Sequence, residues 1–333
     1  MLFHIDELIN QFKQYGGKFE NAEVRYSGEL GFHCYAQNSN SESLISCPAH
    51  LLVAIEDIGI NKDGLYICNP DGYGEYISFL NQYFKLQFNE QIVEYESKRK
   101  RQIQALTKEE RSLVTRLVHP DVLSLEGYEG LAYERKRIIE KHNIVHFGQK
   151  VIMPFVSLIN HDKNGMGFDI QKDSISVKGK YTGEITVKYN NGLDVLKIAS
   201  DYDFITDSQY ILSIPLGFTL NNGKFFAIEK NISNSVQVSG NRWKPATEVL
   251  PDRITVSWFP LYLKDSPMFP ATIANMITDE TGMSAENLLY SIIRFNLHAL
   301  VPAAFQLSQS KNAFAKHIGA AARRQLETIA AAR

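Results

Sequence analysis

Three separated segments of the chain carry residues that could bind a ligand or act on one. Gly31 lies in GELGFHCYA (28–36), and a glycine at a turn lets the backbone approach a ligand closely because it has no side chain. Asn160 and His161 follow the apolar run VIMPFVSLI (151–159) and offer hydrogen-bond donors and acceptors. Tyr189 ends the strand-like segment GEITVKY (183–189), and Tyr202 ends LDVLKIASDY (193–202), so two phenolic hydroxyls are also available.

Each segment also has a plain structural explanation. The glycine could form an ordinary hairpin turn, and His161 could be a half-buried histidine whose hydrogen bonds are satisfied. Tyr202 could be a core tyrosine, because its spacing places it on one helical face with Val195, Ile198 and Ala199. The functional interpretation therefore depends on the order and spacing of all three segments.

Together the segments resemble the SET domain of methyltransferases, and specifically the subclass of Rubisco large-subunit and actin-histidine methyltransferases. In that subclass a helix ending in Gly-Gly leads to GxGxxA and a strand ending in Ile-Pro. A helical insertion, PxxDxxNH, GEEIxxxY and YGF follow in that order. The matching segments here are GGKFENAEVRYSGELGFHCYA, LISCPAHLLV, VIMPFVSLINHDKNG and GEITVKYNNGLDVLKIASDYDF. The resemblance spans roughly residues 10–215, and the C-terminal helices more loosely resemble the family's substrate-binding domain.

The resemblance implies S-adenosylmethionine as cofactor. Leu30, Gly31 and Phe32 match the turn at which the family's backbone touches the amino-acid portion of the cofactor. Asn160 and His161 match the Asn-His pair that contacts the cofactor through side-chain and main-chain hydrogen bonds.

The resemblance also implies the catalytic residues, Tyr202 and Tyr189. Tyr202 matches the phenol that abuts the transferred methyl group, and so it is expected at the cofactor as well. The implied reaction is a direct in-line methyl transfer that needs no metal and no covalent intermediate, so the enzyme's task is positioning. A target lysine, with an ordinary pKa of about 10.4, must lose its proton in a desolvated channel, whereas much of a target histidine is neutral already.

Two positions depart from the family pattern. Ser157 stands where the family has an aspartate three residues before the Asn-His pair. Asp203 replaces the glycine of Tyr-Gly-Phe, although aspartate tolerates a left-handed backbone better than most residues.

The function expected from the resemblance is methyl transfer to a lysine, or as the second choice a histidine, of a protein substrate. Ser157 and Asp203 keep open an alternative in which an inactive SET fold serves as a binding module. A third possibility is an unrelated α+β enzyme. The sequence gives no indication of the oligomeric state.

The elements that must position these residues begin with an amphipathic helix. Ile5, Leu8, Ile9 and Phe12 follow its spacing, and Gly16-Gly17 supplies a stop. Strands are predicted from residue 22 to 47, helices from about 72 to 145, and strands again from KVIMPFVSLI (150–159) onward. A hairpin is predicted over 210–226, closed by a type I′ turn at 222–223.

The predicted fold class is α+β: a SET-type arrangement of small sheets with a pseudoknot, a helical insertion and a helical C-terminal domain. The predicted domains are 1–71 (helix and first half of the SET domain), 72–145 (helical insertion), 146–226 (second half) and 227–333 (mainly helical, substrate-binding-like). No GxGxxG strand–helix unit is present, which argues against a doubly wound cofactor domain.

The C-terminal region is predicted to contain a helix capped by Ser284, with an apolar face that includes Leu288, Ile292, Phe295 and Leu300. A stripe of Leu289, Ile293 and Leu297 either forms a groove for a partner or packs against the core. A final helix is predicted at about 311–333.

The KRKR run at 98–101 could be a nucleic-acid or localisation patch. The alternative is the solvated face of a helix, because Glu94, Glu96, Glu109 and Glu110 flank the run. The formal net charge of −2 over 333 residues favours that alternative and argues against a nucleic-acid partner.

Composition favours a cytoplasmic protein without a membrane segment. No two of the three cysteines, Cys34, Cys47 and Cys68, have CxxC spacing. This argues against a zinc knuckle and suits a reducing compartment. The sequence contains no uninterrupted run of 18 apolar residues, so no spanning helix is predicted. The segment MLFHIDELINQF lacks the pattern of a signal peptide.

Overall fold

The computed structural model describes residues 2–26, 32–189, 194–208, 210–229, 236–238, 242–264, 266 and 268–331. The chain forms two compact units. The first comprises Met1–Arg101 and Leu125–Asn191, and the second comprises Gln102–Ser124 and Gly192–Arg333. The chain therefore leaves the first unit once for a short helical segment and returns to it. The domain boundaries at 71/72, 145/146 and 226/227 stay predictions.

The first unit combines four main helices with short strands. Its helices are α1 (Leu2–Gln14), α2 (Ile77–Gln87), α3 (Glu90–Gln104, whose last turn belongs to the second unit) and α5 (Ala132–His142). Its strands are β1 (Lys18–Glu20), β2 (Ala22–Tyr26), β3 (Phe32–Ala36), β4 (Glu42–Pro48), β5 (Val53–Ala54), β6 (Ile58–Asn61), β7 (Gly64–Ile67), β8 (Asn143–His146), β9 (Gln149–Ile152), β10 (Asn160–Met166), β11 (Asp169–Ile170), β12 (Ser174–Lys180) and β13 (Thr186–Val187).

These strands form five small sheets. The largest has the order β1-β4-β12-β11, and the others are β5-β9-β8, β2-β3, β6-β7 and β10-β13. In the largest, Ile45 of β4 lies opposite Val177 of β12, and both side chains are buried. All pairs except β10-β13 are antiparallel.

Helix α1 follows the sequence prediction. Its predicted apolar face is buried, with Phe12 fully enclosed. Gly16 ends the helix at a φ of 85°, its N–H donates to the carbonyl of Lys13, and the N–H of Gly17 donates to the carbonyl of Phe12. This pair of hydrogen bonds is a Schellman motif, and its left-handed residue favours glycine.

Aromatic rings fill the centre of the first unit. The ring of Phe155 lies 4.9 Å from that of Phe12, 5.6 Å from that of Phe19 and 5.3 Å from that of Tyr83. Phe155 itself has φ 61° and ψ −37°, a conformation that is costly for a residue with a side chain. Because it is fully buried among these rings, packing holds it there, five residues before Asn160.

Within the helical region predicted from about 72 to 145, the charged segment around KRKR forms two helices, α3 and α4 (Lys108–Leu117). Thr107 caps α4: its hydroxyl accepts from the N–H of Glu110 at 3.1 Å, and the Glu110 carboxylate accepts from the N–H of Thr107 at 2.9 Å. This capping box starts a new helix, and so it interrupts an otherwise continuous charged pattern.

The interpretation of KRKR as a solvated face is wrong for Arg99, which is only 6% exposed. Glu96, predicted to flank the run in solvent, is buried beside Lys141 and within 3.5 Å of Arg137. Burial lowers the pKa of Lys141 to about 8 although the Glu96 carboxylate opposes that shift. The buried ion cluster between α3 and α5 therefore includes charged side chains that the sequence pattern predicts to be solvent-exposed.

The second unit carries the remaining elements. Its helices are α4, α6 (Val195–Tyr202), α7 (Phe269–Met276), α8 (Thr278–Thr281), α9 (Ala285–Ser308) and α10 (Ala313–Ala331). Its strands are β14 (Tyr210–Leu212), β15 (Leu216–Thr219), β16 (Phe225–Ile228), β17 (Val236–Val238), β18 (Arg242–Lys244), β19 (Thr247–Val249), β20 (Arg253–Val256) and β21 (Pro260–Leu263).

The hairpin predicted over 210–226 is shifted along the chain. β14 pairs with β21, and the hairpin is β15–β16, which continues into a sheet of order β15-β16-β20-β19. Pro215 separates β14 from β15, because proline has no N–H to donate to a ladder. The predicted type I′ turn is also wrong: Gly223 has φ 84°, but Asn222 does not have the positive φ that this turn requires.

Helix α9 packs along α10 in the second unit. Gly319 of α10 lies so close to α9 that an added Cβ would stand 2.8 Å from the Cβ of Leu307. Ser284 caps α9 as predicted, accepting from the N–H of Asn287 at 3.2 Å. Of the predicted apolar face, Leu288, Ile292 and Leu300 are buried, whereas Phe295 is 42% exposed.

Among the described residues, α9 is the one helix long and apolar enough to cross a membrane. Core helices of globular proteins meet the same criterion, and seven α9 residues are buried within the protein. The α9 helix also carries Asn296, which is fully buried.

Every polar atom of the Asn296 amide is used. Its Oδ1 accepts from the N–H of Ile214 at 2.9 Å, and its Nδ2 donates to the hydroxyl of Ser213 at 2.8 Å and to the carbonyl of Ile292 at 2.9 Å. A buried polar group is tolerated only when it is satisfied in this way.

We expect Asn296→Ala to lower the free energy of unfolding by about 3 kcal/mol, because it leaves the buried N–H of Ile214 without its acceptor. Urea denaturation followed by circular dichroism measures the change. Asn287→Ala, an exposed position on the same helix, is the control and should change the value by less than about 0.5 kcal/mol. Equal effects of the two substitutions would contradict the expectation.

Candidate functional site

Asn160 and His161 begin strand β10, which runs parallel to the GEIT segment. Asn160 lies opposite Thr186 and His161 opposite Val187. The register then shifts, so that Met166 also lies opposite Val187. The second and third sequence segments are therefore neighbours in the first unit, although more than twenty residues separate them along the chain.

Strand β3, which precedes β10 along the chain, hydrogen-bonds to the same GEIT segment. The N–H of Ile185 donates to the carbonyl of Cys34 at 2.7 Å, and the N–H of Ala36 donates to the carbonyl of Gly183 at 2.8 Å. Tyr35 forms an isolated antiparallel bridge with Glu184. His33, two residues before Tyr35, therefore lies on the face of β3 that also carries the Glu184 side chain.

Three polar side chains from the three segments meet at this point. Nδ2 of Asn160 lies 2.6 Å from Oε1 of Glu184 and 2.7 Å from Nδ1 of His33. Nδ1 of His33 lies 2.8 Å from the same Oε1. The His33 side chain is 9% exposed and that of Glu184 is 30% exposed, so the cluster is partly accessible to a ligand.

His161 and Tyr189 form a second contact beside this cluster. Nδ1 of His161 accepts from the N–H of Tyr189 at 3.1 Å, and the two rings lie 5.2 Å apart. Burial lowers the pKa of His161, although the Asp162 carboxylate opposes that shift. A neutral imidazole with its proton on Nε2 fits both observations. The Tyr189 hydroxyl donates to the carbonyl of Ile159 at 3.1 Å, which fixes the ring next to the Asn-His pair.

Ser157, where the family has an aspartate, is half-buried and hydrogen-bonds to a fully buried tyrosine. Its hydroxyl lies 2.9 Å from that of Tyr83, and burial raises the pKa of the Tyr83 phenol. Its carbonyl lies 3.3 Å from Nδ1 of His142, whose ring packs on Phe88. A neutral hydroxyl suits this surrounding, because a carboxylate here would have to be desolvated.

Asp203, the second departure, has the backbone of a glycine. It caps helix α6 with φ 64° and ψ 23°, the left-handed region that glycine adopts freely. The aspartate therefore occupies a position at which the backbone itself favours glycine.

The other predicted site residues fall in different places. Leu30 and Gly31 lie outside the described residues. Phe32 is half-buried at the start of β3, with its ring 5.1 Å from that of Tyr26. Tyr202 ends α6 in the second unit, half-buried, with its ring 6.3 Å from that of Phe204. Its expected place at the transferred methyl group stays a prediction.

Sequence reasoning missed His33 and Glu184. Both stand inside the segments that matched the family, in GFHCYA and GEIT, but neither position carried an expected role. The pairing of β3 with the GEIT segment makes them neighbours, and nothing in either segment alone indicates that pairing.

The arrangement can hold a polar, cationic ligand. Asn160 supplies an oriented amide, Glu184 a half-exposed carboxylate, and His161 a neutral imidazole beside a strand end. None of these groups is built as a nucleophile with an adjacent base, which would characterise covalent catalysis. The described cluster is therefore suited to binding and orientation.

In the comparisons with known proteins, similarity was found to solved structures. No protein-family model and no curated protein sequence matches the chain. Solved structures do match, among them structures of the SET domain of LSMT.

Structures of LSMT in several bound states are among them. The chain is similar to the SET domain of LSMT bound to lysine and AdoHcy, with a TM-score of 0.46 and 12% identity, over 97% of this chain and 88% of that chain. It is similar to Rubisco LSMT bound to AdoMet, with a TM-score of 0.47 and 12% identity, over 97% and 90%. It is also similar to Rubisco LSMT bound to sinefungin and monomethyllysine, with a TM-score of 0.46 and 12% identity, over 98% and 89%.

The burial of His142 predicts a pH dependence of stability. Burial lowers the pKa of this imidazole from 6.5 to about 4, so between these values the unfolded chain binds a proton that the folded chain does not. The free energy of unfolding should therefore fall as the pH falls from 6.5 to about 4, by about 2 to 3 kcal/mol in total from this group.

Urea denaturation across that pH range measures the slope. His142→Gln should flatten it, whereas His298→Gln, an exposed histidine on α9, should leave it unchanged. An unchanged slope in His142→Gln would contradict the assignment.

Proposed function

We propose that this protein is an S-adenosylmethionine-dependent protein methyltransferase that methylates a lysine side chain. The observation that carries the proposal is the meeting of the three family-like segments at Asn160, His33 and Glu184. A chance resemblance between motifs would not require the matching segments to pair with one another. Histidine remains the second target residue.

The residues at this cluster fit the amino-acid end of the cofactor. That end carries a primary ammonium, for which an amide oxygen is a suitable acceptor. Asn160 offers this oxygen, the Glu184 carboxylate accepts from the Nδ2 of the same amide, and His161 adds a neutral ring and the main chain of a strand end. When bound, S-adenosylmethionine supplies a methyl group already activated on a sulfonium.

The protein's own residues have the tasks of binding, orienting and excluding water. Tyr189 is held by its hydroxyl at the carbonyl of Ile159, so its ring forms a rigid wall beside His161. Tyr202 is proposed as the phenol that orients the incoming nitrogen, on the strength of the motif match. A lysine amine reacts only when neutral, and desolvation favours the neutral form.

The alternative of an inactive binding module rested on Ser157 and Asp203. Ser157 has a partner in Tyr83, and Asp203 adopts a left-handed backbone, the conformation for which glycine is best suited. These surroundings favour the enzyme over the binding module, and the titration below decides between them. A protein substrate, the absence of nucleic-acid and membrane partners, and a cytoplasmic location remain part of the proposal.

Calorimetric titration with S-adenosylmethionine tests the cofactor. We expect saturable binding that Asn160→Ala weakens by about 10- to 100-fold, because the variant loses a hydrogen bond to a charged group. Asn287→Ala, remote in sequence and exposed, is the matched control and should bind as the wild type does. Absence of binding at millimolar cofactor would reject the enzyme and leave the binding module.

Methyl transfer itself is tested with radiolabelled cofactor and a cell extract as the source of substrate, followed by identification of the modified residue. We expect methyl-lysine, and a fall in turnover of about 100-fold in Tyr202→Phe with little change in cofactor affinity, because the phenol orients the nucleophile. Methyl-histidine would correct the target, and unchanged turnover in Tyr202→Phe would remove that residue from the mechanism.

A further inference from the structure

The hydrogen bonds at Asn160 can be assigned from the three distances. Glu184 Oε1 lies within 2.8 Å of both nitrogens, and a carboxylate oxygen can only accept. It therefore accepts from Nδ2 of Asn160 and from an N–H at Nδ1 of His33. With Nδ1 of His33 protonated, that nitrogen cannot also accept from Asn160, so Oε1 is the shared acceptor.

This assignment fixes which end of the Asn160 amide faces Glu184. An amide oxygen at the Nδ2 position would stand 2.6 Å from a carboxylate oxygen, and two acceptors repel at that distance. The NH2 end is therefore held at Glu184. The Oδ1 end necessarily lies on the other side of the amide, as an acceptor of fixed direction.

The neighbouring strand supplies the other charges on this face. Arg25 lies opposite His33 and Glu23 lies opposite Tyr35 in the β2–β3 pair. Arg25 forms an ion pair with Glu23 and lies 4.4 Å from the centre of the Tyr35 ring. Arg25 is thus engaged by Glu23 and Tyr35, which leaves the Glu184 carboxylate to His33 and Asn160.

We propose that Glu184 and His33 are positioning residues that orient the Asn160 amide, so that its Oδ1 selects a ligand carrying a primary ammonium. His33 donates to Glu184, Glu184 holds the NH2 end of Asn160, and Asn160 presents its oxygen to the ammonium. This role rests on the proposed function, and it predicts selectivity for the ammonium rather than affinity alone.

The test compares S-adenosylhomocysteine with its analogue in which hydrogen replaces the α-amino group. By titration calorimetry, the wild type should prefer the amino compound by about 10-fold, the value of one hydrogen bond to a charged group. Glu184→Ala should reduce the preference to less than about 3-fold. Glu184→Gln keeps an acceptor oxygen and should retain more of the preference than Glu184→Ala does. His33→Gln keeps an N–H donor and should retain more of the preference than His33→Ala does.

A double substitution separates positioning from direct contact. If Glu184 acts through Asn160, Glu184→Ala should cause no further loss of preference in an Asn160→Ala background. A further loss there would mean that Glu184 binds the ammonium itself and would overturn the positioning role. Glu23→Gln removes a carboxylate from the same face and serves as the control, with its preference unchanged.

The two proposals fail in different ways. A folded wild type that binds neither S-adenosylmethionine nor S-adenosylhomocysteine overturns the function and this inference together. A wild type that binds and prefers the amino compound, with Glu184→Ala keeping the full preference, overturns the inference alone. Thermal unfolding of each variant identifies any loss that comes from misfolding.

Discussion

Two backbone hydrogen bonds between β3 and residues 183–185 hold the candidate site together. They join the N–H of Ile185 to Cys34 and the N–H of Ala36 to Gly183, across about 150 residues of chain. The same segment continues into β13, whose parallel pairing with β10 brings in Asn160 and His161. Without this double pairing, the carboxylate of Glu184 would have neither of its partners.

Local physics explains the elements that the sequence predicts well. The apolar spacing of α1, its glycine stop and the serine cap of α9 each depend on residues within one or two turns. Strands β2, β3 and β4 lie within 22–48, where the short apolar segments and the Gly, Asn and Ser turn residues predict strands. These features need no knowledge of the rest of the fold, and they are where prediction and structure agree.

Long-range pairing explains what the sequence does not predict. The parallel pairing of β16 with β20 and the burial of Asn296 depend on partners tens of residues away. Arg99 belongs to a run of charged residues that suggests solvent exposure, yet it is buried next to Glu96 and to Tyr133 and Arg137 of α5. His33 is the same case at the site: its role depends on Glu184, which only the folded chain brings within 2.8 Å.

The departures from the family pattern have a different meaning once their surroundings are known. Compared with the motif, Ser157 lacks the negative charge of an aspartate. In the fold, its hydroxyl hydrogen-bonds with that of Tyr83, a phenol whose pKa burial raises. A carboxylate at that position would face Tyr83 and the carbonyl-bound ring of His142 in a poorly solvated space. The carboxylate beside Asn160 is that of Glu184, which stands within the GEIT segment and has a side chain that is 30% exposed. The chain thus lacks the carboxylate of the pattern at position 157, next to a buried phenol, and keeps the carboxylate that accepts from the Asn160 amide.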